Sequence, residues 1–67
     1  MLTPAVLKSY LLEMPRGHIF ELTDALFADV FPPARSDAAA RGRLQALAEE
    51  CDCSIIEAEG RFDLIRR

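Results

Sequence analysis

At 67 residues the chain has room for one domain, residues 1–67, and its formal net charge of −3 argues against a broadly basic surface for holding duplex DNA. Hydrophobic residues make up 51%, enough for one core; a domain of this size buries only about 60% of its unfolded surface, so homodimerisation would add useful burial. No apolar run reaches the roughly 18–20 residues that span a bilayer. The start lacks the basic segment of a signal peptide, and Cys51 and Cys53 are too few for a secreted disulfide scaffold. The expectation is a cytoplasmic, complete small protein beginning at Met1, with reduced thiols and no membrane association.

The first helix starts at Thr3-Pro4, a capping hydroxyl followed by proline at the first helical position. Val6, Leu7, Tyr10, Leu11 and Met14 recur at helical spacing, and Pro15, Arg16 and Gly17 stop the run. His18, Ile19 and Phe20 read as a short extended piece. Leu22, Ala25, Leu26, Val30 and Phe31 then follow a 3.6-residue period, with Glu21, Asp24 and Asp29 on the wet side, and Pro32-Pro33 ends this second helix.

Ser36 is read as the cap of a third helix, with Asp37 in its first turn. Ala40, Leu44, Leu47, Ala48 and Cys51 form its inward stripe, and the helix should fade near Asp52. Beyond Cys53 the apolar spacing changes from every third or fourth residue to every second. Ser54 to Ala58 and Arg61 to Ile65 become two strands around Glu59-Gly60. That turn sets Ile55 opposite Leu64 and Glu57 opposite Phe62, so Ile55, Phe62 and Leu64 share the core face while Ile56 and Ile65 point away. Glu59 suits a tight primed turn poorly, which leaves room for a longer loop or a bulge.

The predicted class is α+β, three helices with a C-terminal β-hairpin. The Arg16-Gly17-His18-Ile19-Phe20 link, the third helix from Ser36 to Cys51 and the hairpin around Gly60 together resemble the winged helix-turn-helix superfamily over nearly the whole chain. The resemblance is architectural and carries no signature motif. It implies a third helix that enters the major groove and a hairpin wing that touches the backbone or minor groove, although many members bind proteins instead.

Two functions follow. As a DNA-binding transcription regulator or accessory factor, the chain would use Arg41, Arg43 and Gln45 near the bases and Arg35, Ser36 and Arg61 on phosphates. As a protein–protein adaptor, inhibitor or complex subunit of a small bacterial or phage kind, it would use the small residues Ala38, Gly42 and Ala46, or the outward Ile56 and Ile65. Gly42 is informative, because glycine inside a helix costs roughly 0.5–1 kcal/mol against alanine and so suggests a packing reason. No catalytic residue or cofactor is expected. His18 is the lone histidine and sits in a link, Cys51 lies on the buried stripe while Cys53 is the more exposed of the pair, and two thiols fall short of a four-ligand zinc site.

Overall fold

The computed structural model describes residues 2–67, folded as α1 (Pro4–Glu13), β1 (Ile19–Thr23), α2 (Asp24–Val30), α3 (Ala38–Glu50), β2 (Cys53–Ala58) and β3 (Arg61–Arg66). The architecture is α+β: three helices against one face of a three-stranded antiparallel sheet in the order β1-β3-β2. The last strand of the chain is therefore the central one. Its register matches the sequence expectation, with Ile55 opposite Leu64 and Glu57 opposite Phe62, and it pairs on its other side with Phe20 and Leu22.

Local chemistry sets the helix ends. Thr3 accepts a hydrogen bond from the Val6 N–H, and Pro4 occupies the first helical position, where its missing N–H costs nothing. The second helix begins later than the apolar period suggests. Glu21 and Leu22 lie in β1, and the helix opens at Asp24 behind Thr23, whose hydroxyl accepts from the Leu26 N–H. Leu22 fits either period. The ladder to Phe62 decides for strand, because it satisfies the backbone while Leu22 still reaches the core. The cap of α3 also moves by one residue. Asp37, not Ser36, caps it, with its carboxylate accepting from Ala40 N–H at 2.8 Å.

The turn at Glu59-Gly60 is tight after all. Gly60 alone takes a positive φ (+76°), the pattern of a type II turn rather than a primed one, and that conformation suits Glu59 at the first central position. Asp52 takes a left-handed φ of 57° between α3 and β2.

The core is apolar throughout and holds no buried polar side chain among the described residues. Leu7 and Leu11 of α1, Leu22 of β1, Phe27 and Val30 of α2, Leu44 and Leu47 of α3, and Phe62 and Leu64 of β3 all enter it. Phe27 stacks at a tilt between Phe31 and Phe62, with centroids 5.6 and 5.4 Å away, a spacing that favours aromatic pairs. Only Leu7 and Leu11 of α1 are buried, and Val6 and Tyr10 of the same apolar run stay exposed. Cys53 is as buried as Cys51, contrary to the expectation, because it begins a strand whose alternate residues face the helices. Both cysteines are free thiols. No helix among the described residues is long and apolar enough to cross a membrane.

Candidate interaction face

The inward half of α3 is set by Ala40, Leu44, Leu47 and Ala48, all buried. Its opposite half, Ala38, Gly42, Gln45, Ala46 and Glu49, is exposed as the 100° rotation per residue requires. A side chain added at Gly42 would meet nothing within 4 Å, and this glycine has no positive φ. No packing within the fold accounts for it.

The arginines are less free than sequence position suggests. Arg35, in the turn before α3, is only 23% exposed. Its guanidinium lies 4.6 Å above the centre of the Phe62 ring, pairs with Asp24 at 2.9 Å and Glu57 at 3.4 Å, and donates to the Ala58 carbonyl. It is a clamp that holds the start of α2, the α3 approach and the hairpin together. Arg41 reaches the same Glu57 at 3.8 Å. The four groups form an alternating chain, Asp24, Arg35, Glu57, Arg41. Arg61 pairs with Asp63 at 3.0 Å, and that hydrogen bond, ahead of the added field of Asp63 and Glu21, raises its pKa further.

Arg43 is different. It donates to the Pro32 carbonyl at 2.8 Å, and no carboxylate neutralises it among the described residues. It lies across α3 from Arg41, and of Arg35, Arg43 and Arg61 it alone has no carboxylate partner among the described residues. Gln45 donates to Glu49 one turn along. Ser36 is exposed. Of the two outward isoleucines of the hairpin, Ile56 is 52% exposed and Ile65 is half-buried.

Between α3 and the hairpin runs an open groove of about 400 Å³. Leu44, Ile55 and Phe62 form its apolar floor, and Arg41, Gln45 and Glu57 its polar rim. The spacing of residues did not announce this groove, since its walls come from three successive elements, α3, β2 and β3, that only folding brings side by side. His18 is exposed in the α1–β1 link. Burial pushes both cysteine thiols up from their ordinary value, Cys53 being raised further by Cys51 beside it, which leaves them poor nucleophiles. No group of three or more potential metal ligands gathers among the described residues.

No family model matches the chain, and neither a curated protein nor a solved structure shows significant similarity to it.

Proposed function

We propose that the chain is a winged-helix module that binds a protein partner through the outward face of α3. The element order and the central position of β3 support the winged-helix reading, by analogy of layout. The function is argued from the site. The observation that carries it is Gly42, an exposed helical glycine with open space around it and exposed Ala38 and Ala46 one turn to either side. Its cost to the helix goes uncompensated inside the fold, and close approach of another backbone would compensate it. The cations nearest this strip are mostly turned to internal carboxylates, which weakens the case for phosphate contacts.

Duplex DNA is the second reading, favoured by Arg43, whose charge stands unneutralised beside the same face. The exposed pair of Arg41 with Glu57 is weak enough to be traded for phosphate.

One pair of measurements separates these readings. Binding to a random-sequence duplex at low salt should be absent. Immobilised wild-type chain should retain a partner from cell extract that folded Gly42→Leu and Ala46→Arg chains lose. Salt-sensitive duplex binding abolished by Arg43→Glu would overturn the protein reading.

A further inference from the structure

Strand β2 is an edge strand, and the bonding pattern shows which of its backbone groups are left over. The Arg67 N–H donates to the Asp52 carbonyl, so the narrow hydrogen-bonded pairs of the β2–β3 ladder fall on Asp52, Ser54, Ile56 and Ala58. The N–H and C=O groups of Cys53, Ile55 and Glu57 therefore point away from β3. The side chain of Arg67 donates to the Cys53 carbonyl at 3.0 Å and closes that end. Ile55 and Glu57 remain: among the described residues no loop or side chain bonds to their outward groups.

We infer that this edge pairs with the β2 of a second copy, about a two-fold axis at Ile56, to give one continuous six-stranded antiparallel sheet. A two-fold interface must be complementary to itself, and this edge is. Antiparallel pairing centred on Ile56 sets Ile55 against Glu57 of the other copy, and Glu57 against its Ile55. Each of these two pairs exchanges two backbone hydrogen bonds, so the four outward groups of Ile55 and Glu57 on each copy are satisfied. On the outer sheet face Ile56, among the most exposed large apolar residues, meets its own counterpart in a close non-hydrogen-bonded pair. On the helix face the two Glu57 side chains lie opposite isoleucine rather than each other. Each arrives already neutralised by Arg35 and Arg41 of its own copy. The groove beside α3 opens along this same edge strand and offers room for the incoming Ile55. The edge also lacks the devices that keep strands apart: β2 has no proline and no lysine, and its only charge is Glu57.

The inference is independent of which macromolecule α3 binds. Sedimentation equilibrium of the full chain tests it. The mass should rise from the monomer value of 7.5 kDa towards twice that as concentration is raised through the micromolar range into the millimolar. Ile56→Lys sets two like charges face to face in the seam, on a side chain that is exposed in the single copy, and should weaken dimerisation about tenfold or more while circular dichroism stays unchanged. Ile56→Glu should do the same, and an equimolar mixture of the two variants should regain the dimer. Gly42→Leu, on α3, should leave association as in wild type. A wild-type chain that is monomeric across the whole range overturns the inference. So does dimerisation unaffected by both Ile56 substitutions, or a mixture that stays monomeric.

Discussion

Both faces of α3 carry two alanines each, Ala40 and Ala48 inward and Ala38 and Ala46 outward, yet the two pairs do different work. Contacts with the core on one side bury Ala40 and Ala48, because a larger side chain there would not fit between helix and sheet. On the other side Ala38 and Ala46 are exposed and flank a glycine with empty space around it. Smallness on the inner face is a packing requirement. On the outer face nothing within the molecule asks for it, so identical residues in one helix carry different meanings, and burial tells them apart.

Substitutions can break that contrast or sharpen it. Leu44→Ala, on the inner face, should cost about 2–5 kcal/mol of unfolding free energy by urea denaturation, through lost burial and the cavity left behind. Ala40→Leu should cost about 1–3 kcal/mol by overpacking, whereas the same change at Ala46 should alter stability by less than about 0.5 kcal/mol. Equal costs at the two alanines would erase the distinction. Gly42→Ala should raise stability by about 0.5–1 kcal/mol, since the site has ordinary helical φ and room for a methyl group; a loss would mean that the glycine has a structural task after all.

The buried thiols at the end of α3 and the start of β2 carry a pH signature. Cys51 and Cys53 hold their protons more tightly folded than unfolded. Below the free-thiol value of 9.0 both states are protonated and the folded state keeps its full stability. As pH rises above that value the unfolded chain loses protons first, so stability falls. Urea midpoints across this range should drop, and a Cys51→Ala, Cys53→Ala chain should show a smaller drop.

Most of the fold was readable because its signals are local. Thr3-Pro4 starts α1 within three residues, and Gly60 fixes a hairpin whose register follows by counting. The errors came where a neighbouring residue could do the same job, as with Ser36 and Asp37 at the α3 cap, or where a distant partner decided. Leu22 is a strand residue because of Phe62, forty positions away. The candidate face was legible only in part. Helical rotation alone placed Ala38, Gly42 and Ala46 outward. It could not show that Arg35 is held by Asp24, Glu57 and Phe62, three residues that only the folded chain assembles.

The strand order has a bearing on how the chain acquires its shape during synthesis. Both outer strands depend for their ladders on β3, which a ribosome makes after the other two. Until Arg61–Arg66 has cleared the exit tunnel, β1 and β2 have no strand to lie against, and Phe27 and Leu44 have no Phe62 or Leu64 to close over them. Arg66 adds to this by donating to the Leu11 and Cys51 carbonyls at the ends of α1 and α3. The sheet is therefore gained in one step, when the third strand enters between the two made before it.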